Sequence, residues 1–129
     1  MDKVRFEISG SLGILTLTHP PLNLFSGEVI EDLRASVDQV KQTPLRALLV
    51  QADSKVFSGG ADVSIFQGRT PSEARERFTS HLRLIADLEE LPFPTVAAVP
   101  QGSGVCAARS EEAGCSSIFL ANPRPCRIL

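Results

Sequence analysis

The sequence predicts an α/β chain, and three observations carry that expectation. Ala47 to Val50 and Thr95 to Val99 are short apolar runs with the length and composition of strands buried inside a sheet. Val29, Ile30, Leu33, Val37 and Val40 recur at helical spacing, and Ala74, Phe78, His81/Leu82, Ile85, Leu88 and Leu91 do so further on. The amino-terminal residues, Val4 to Ile8 and Leu12 to Thr18, alternate or run apolar around Ser9-Gly10-Ser11, which reads as a β-hairpin.

The elements follow one another with recognisable punctuation. His19-Pro20-Pro21 ends the second strand, because neither proline can donate to a ladder. His19 reads either as a solvated strand end or as a residue near a bound cofactor. Leu22-Asn23-Leu24-Phe25 leads into a helix capped by Ser26, with Glu31, Asp32, Arg34, Asp38 and Lys41 opposite its apolar stripe. Thr43-Pro44 stops that helix, and a strand from Arg46 to Gln51 follows. Val63 to Phe66 forms a short helix closed by Gly68. Thr70-Pro71-Ser72-Glu73 is a capping box with proline at the first helical position. Glu73, Arg75, Glu76, Arg77, Arg83 and Asp87 make the polar face of the helix it opens, and His81 is expected at the edge of the core. Leu91-Pro92-Phe93-Pro94 breaks the helix before the strand Thr95 to Val99.

Composition narrows the function class. At 129 residues the chain has room for one modest core. Its 43% hydrophobic and 22% charged residues are those of an ordinary soluble globular protein. A net charge of −2 gives no reason to expect a nucleic-acid or anionic-membrane partner. No apolar run approaches the roughly 18 residues of a membrane span. The start, MDKVRFEISG, lacks signal- and transit-peptide character, so a cytoplasmic location is expected. Cys106, Cys115 and Cys126 form no CxxC pair and have no histidine nearby, so neither a metal site nor a disulfide framework is expected.

The chemistry is expected at one turn. After the apolar strand come Val56 and Phe57 and then Ser58-Gly59-Gly60-Ala61-Asp62. Glycines without a Cβ let the backbone bend and approach a ligand closely. If a helix starts at Ala61, the N–H groups of Gly59 and Gly60 lie at its first turn and can hold an oxyanion or a polarised carbonyl oxygen. The plainer alternative is a tight strand-to-helix connection in which the glycines serve geometry alone.

Phe57-Ser58-Gly59-Gly60-Ala61-Asp62, behind its strand, resembles the first signature of the crotonase family, the enoyl-CoA hydratase/isomerase enzymes. The order of elements before it, including Pro20-Pro21-Leu22-Asn23, and the Thr95-Val96-Ala97-Ala98-Val99 strand after it are also similar to that family. The resemblance covers residues 3 to 99 and implies part of a crotonase-like ββα spiral, truncated. Acyl-CoA is then the implied substrate, with coenzyme A as part of it and no separate cofactor; a half-length ββα unit leaves strand edges and apolar faces uncovered, so a homo-oligomer is expected. Two backbone N–H groups would stabilise a thioester enolate: Gly59 gives the first donor by motif matching, and Ala107 is the position left for the second. Gly60, Ala61 and Asp62 would help shape the acyl-CoA pocket alongside Gly59.

The resemblance fails after Val99. A glycine run and a glutamate opening a helix are due there, yet matching Gly102 to the first glycine leaves Cys106-Ala107-Ala108 as the run and Ser110 at the glutamate position. Glu111 falls one place late, about 100° around a helix. Residues 100 to 129 read as a divergent or frame-altered tail, expected to be poorly ordered or only loosely packed, with Ser116 to Leu120 its only apolar patch. Gly102-x-Gly104-x-x-Ala107 also fits a loose dinucleotide-binding fingerprint, but no acidic residue lies about twenty residues on. Two functions stand: an acyl-CoA hydratase or isomerase impaired in this form, or a non-catalytic CoA-binding or interaction module.

Overall fold

A computed structural model of the chain describes residues 2–99 and, as backbone alone, residues 117–121. In chain order the elements are β1 (Val4–Ser9), β2 (Leu12–Leu17), α1 (Gly27–Gln42), β3 (Ala47–Ala52), a 3₁₀ turn (Val63–Phe66), α2 (Pro71–Glu89), β4 (Thr95–Val99) and β5 (Ser117–Ala121). One sheet runs β1-β2-β3-β4-β5. Its outer pairs, β1/β2 and β4/β5, are antiparallel, and its inner pairs, β2/β3 and β3/β4, are parallel. Parallel neighbours need crossover connections, and α1 and α2 supply the two this sheet requires. The mixed α/β architecture agrees with the sequence reading.

Register places one apolar row on the core face. Phe6 lies opposite Leu15, Leu15 opposite Val50, and Val50 opposite Ala97. Leu15 and Leu48 are fully buried, and Val4 and Leu17 join them in one cluster with Val29, Leu33, Val37 and Val40 of α1. Gly13 permits close packing here: a Cβ would stand 2.6 Å from Leu45 Cδ1 and 3.2 Å from Leu48 Cδ1.

The helices begin where the side chains say they should. Ser26 accepts a hydrogen bond from the Val29 N–H at 3.4 Å, and Thr43 ends α1 with its N–H on the Val40 carbonyl. At α2 the capping box is complete: Glu73 N–H donates to Thr70 Oγ1, and Thr70 N–H donates to Glu73 Oε2. The α2 stripe packs only towards its carboxy-terminal end, where Leu88 lies against the core and Leu91 is buried within it. Phe78, Leu82 and Ile85 are 52%, 50% and 54% exposed, while Leu84, outside that stripe, is 1% exposed and joins the core. No described helix is long and apolar enough to cross a membrane. In the carboxy-terminal segment, β5 forms over the apolar patch singled out in the sequence.

Candidate functional site

Two loops meet at one end of the sheet, residues 19–25 after β2 and residues 53–62 after β3. Asn23 sits between them, 1% exposed and at φ 47°, a left-handed conformation that asparagine tolerates better than most residues. Its Oδ1 accepts from the His19 N–H at 2.8 Å, and its Nδ2 donates to Ser54 Oγ at 2.9 Å and to the Val56 carbonyl at 2.7 Å. Its own N–H donates to the His19 carbonyl, and its carbonyl accepts from Ser58 Oγ at 2.9 Å. Every polar atom of this buried residue is therefore satisfied, as a buried amide requires.

The loops then run alongside one another. Gly59 N–H donates to the Leu22 carbonyl at 2.7 Å, Phe25 N–H to the Gly60 carbonyl at 2.9 Å, and Asp62 N–H to the Phe25 carbonyl at 3.2 Å. These last two bonds make a parallel bridge between Phe25 and Ala61. Gly60 N–H donates to Ser58 Oγ at 3.1 Å. Backbone accounting now isolates one group. The N–H groups of Gly59, Gly60 and Asp62 are all spent inside the turn. Ala61 N–H has no partner among the described residues, and the bridge bonds of its neighbours direct it away from Phe25. Ala61 is exposed, so the donor is open to solvent.

This arrangement corrects two expectations. The Gly59 N–H does not point out of the turn, because the Leu22 carbonyl holds it at 2.7 Å. Nor does a helix begin at Ala61. A four-residue 3₁₀ turn starts at Val63, with Asp62 as its cap accepting from the Ser64 N–H at 2.9 Å. A hydrogen bond from the Ser64 side chain comes first among the causes holding the Asp62 carboxyl below the usual aspartate value, and the Ser64 N–H bond adds to it. The carboxylate therefore serves the turn. Gly60 is required by conformation, since φ is 98° there. At Gly59 a Cβ would lie 2.9 Å from Leu24 Cδ2, the mobile end of a side chain that can yield.

Gly59, Gly60, Ala61 and Asp62, the residues expected at the site, lie together in this turn, and the sequence did not single out Asn23 and Ser58 as its buried framework. The signal was an asparagine after Pro-Pro-Leu at a loop, a residue type that bonds its local backbone. Ala107, Ser110 and Glu111 lie outside the described residues. Among the described residues no group of His, Cys, Asp and Glu could hold a metal ion. A separate cleft of about 460 Å³ opens between α1 and α2, lined by Arg34, Arg69, Arg77, Glu31, Glu73 and Glu76 with His81 at its edge. Three cations against three carboxylates select no charged ligand. Burial, then the nearby Arg34 and Arg77, hold the His81 imidazole below its ordinary pKa.

A family model described as enoyl-CoA hydratase/isomerase matches residues 7–110. A peroxisomal enoyl-CoA delta isomerase 1 of Arabidopsis thaliana is 32% identical over 91 residues, covering 68% of this chain and 38% of its own. The peroxisomal fatty acid beta-oxidation multifunctional protein MFP2 of the same plant is 28% identical over 102 residues, 75% of this chain and 14% of its own. Among solved structures, an enoyl-CoA hydratase from Thermoplasma volcanium superposes with a TM-score of 0.72 at 21% identity, over 78% of this chain and 41% of that one. The chain spans about two-fifths of the length of two of the curated relatives it matches, 39% and 38%.

Proposed function

This chain belongs to the enoyl-CoA hydratase/isomerase family, and from that premise we propose that it binds an acyl-CoA thioester and polarises its carbonyl at the glycine turn. The observation supporting this reading is the unpartnered Ala61 N–H, held between neighbours whose own N–H groups are committed. A preorganised donor aimed at an oxygen that gains charge is often the largest catalytic contribution, and losing one costs about 10²- to 10³-fold in rate. Ala61 takes the oxyanion-donor role in this proposal in place of Gly59, which instead fixes the turn against Leu22. Gly60 and Asp62 shape the wall beside it. Ala107 remains the sequence candidate for the second donor. The reaction would be hydration or isomerisation of an enoyl-CoA, impaired because Ser110 stands where the motif expects a glutamate. Self-association belongs to the same reading, supported by the exposed Phe78, Leu82 and Ile85.

The test is calorimetric titration with a saturated acyl-CoA and with free coenzyme A, followed by infrared difference spectra of a thioester labelled with ¹³C at the carbonyl. Tighter binding of the acyl-CoA and a lowered carbonyl stretching frequency are expected. Absence of binding would overturn the proposal. A bound thioester with an unshifted carbonyl would favour the alternative, a module that binds CoA without activating it.

A further inference from the structure

We infer that Asn23 and Ser58 are positioning residues that aim the Ala61 N–H, an inference that rests on the reading of Ala61 as the carbonyl donor. The argument begins with what holds Ala61. Neither the segment 58–62 nor the segment 22–25 belongs to the sheet, so the sheet's ladders cannot orient them. Phe25 bonds to both sides of Ala61, and Phe25 is in turn two residues from Asn23. Asn23 ties its own loop closed through His19 and reaches across to Ser54 and Val56 on the opposite loop. Ser58 completes the link from the other side: its Oγ donates to the Asn23 carbonyl and accepts from the Gly60 N–H. Both residues are buried, at 1% and 3% exposure, so these bonds face no competition from water.

The consequence is specific to direction. Bonds on Gly59, Gly60 and Asp62 leave the Ala61 peptide little freedom to rotate, so its N–H keeps one orientation. Releasing Ser58 frees the Gly60 N–H and the Asn23 carbonyl together, and the peptide planes on either side of Gly60 can then turn. Neither Asn23 nor Ser58 needs to touch a substrate for this effect. A purely structural role would lower stability and leave the bound carbonyl as polarised as before. A positioning role separates affinity from polarisation, because the rest of an acyl-CoA would bind elsewhere on the surface.

The experiment uses the full chain, Ser58→Ala and Asn23→Asp, with the ¹³C-labelled thioester above as probe. Circular dichroism first establishes which variants fold. Ser58→Ala is expected to hold the acyl-CoA within about threefold of the unaltered chain, a difference below 1 kcal/mol, while losing at least half of the carbonyl shift. Asn23→Asp keeps the acceptor for His19 but loses both amide donors, and the same loss of shift is expected. A folded variant that keeps the full shift overturns the inference and leaves the donor role of Ala61 standing. No shift in the unaltered chain overturns the donor role, and the inference with it. If neither variant folds, amide exchange on the unaltered chain decides. Slow exchange at Gly59 and Asp62 with fast exchange at Ala61 supports the brace, and equal rates at all three overturn it.

Discussion

The two helices are built alike and used differently. α1 and α2 each start on a hydroxyl cap and each carry an apolar stripe. α1 buries Val29, Leu33, Val37 and Val40 against the sheet, whereas α2 buries Leu84 alone and leaves Phe78, Leu82 and Ile85 half in water. Amphipathic spacing therefore reports that a helix has an apolar face, and capping reports where it starts. Neither reports whether a partner surface is present. α1 has its partner within the described sheet, whereas Phe78, Leu82 and Ile85 of the α2 stripe stay exposed among the described residues.

The sharpest way to break that contrast is a pair of matched truncations. Leu33→Ala on α1 is expected to cost about 2–5 kcal/mol, since it leaves a cavity in a packed core. Leu82→Ala on α2 is expected to change stability by no more than about 0.5 kcal/mol, as exposed substitutions do. Urea denaturation midpoints compare the two, and equal losses would mean that the α2 stripe is packed in solution. Next in size is the cap that starts α2. Thr70→Ala removes the acceptor of the Glu73 N–H and should cost about 1 kcal/mol. A negligible loss would mean that α2 is already frayed at its first turn.

A pH titration follows, with an effect set by direction. Burial, Arg34 and Arg77 depress the folded-state pKa of His81 below the ordinary 6.5. The unfolded chain therefore binds the proton more readily, and stability rises with pH through this window. The contribution is present above 6.5 and is lost as pH falls toward the lower folded value. Melting temperatures between pH 7.5 and pH 5.5, compared for the unaltered chain and His81→Gln, should fall more steeply for the former. Parallel profiles would remove His81 from the contact between α1 and α2.

Replacing Phe78, Leu82 and Ile85 together by serine is expected to leave the chain folded. Light scattering should nevertheless register it, because self-association supported by that stripe would weaken. An unchanged scattering profile would shift the association to another surface.

Much of the fold was legible because its signals are local. Ser26 and the Thr70/Glu73 pair cap helices through bonds spanning three residues, so identity and spacing suffice to recognise them. The glycine turn was legible as a turn, but not which of its N–H groups the fold leaves unbonded. Gly59 and Ala61 are two residues apart and differ only in what lies opposite, and the Leu22 carbonyl that takes the Gly59 N–H belongs to a loop more than thirty residues earlier. A one-residue offset between two extended segments exchanges the bonded and the free N–H groups, and no local pattern records that offset.

By itself the sequence determined the α/β class, the order of the elements and the caps that start α1 and α2. Each of these depends on propensity, periodicity or capping between neighbours in the chain. Tertiary structure alone decided that Leu84, and not the Phe78/Leu82/Ile85 stripe, faces the core, and that Asn23 is buried with every polar atom paired. It also decided which N–H is left over at Ala61. The physical reason is common to all three: burial and hydrogen-bond accounting are settled by which distant segments meet, and chain spacing carries no record of the partner.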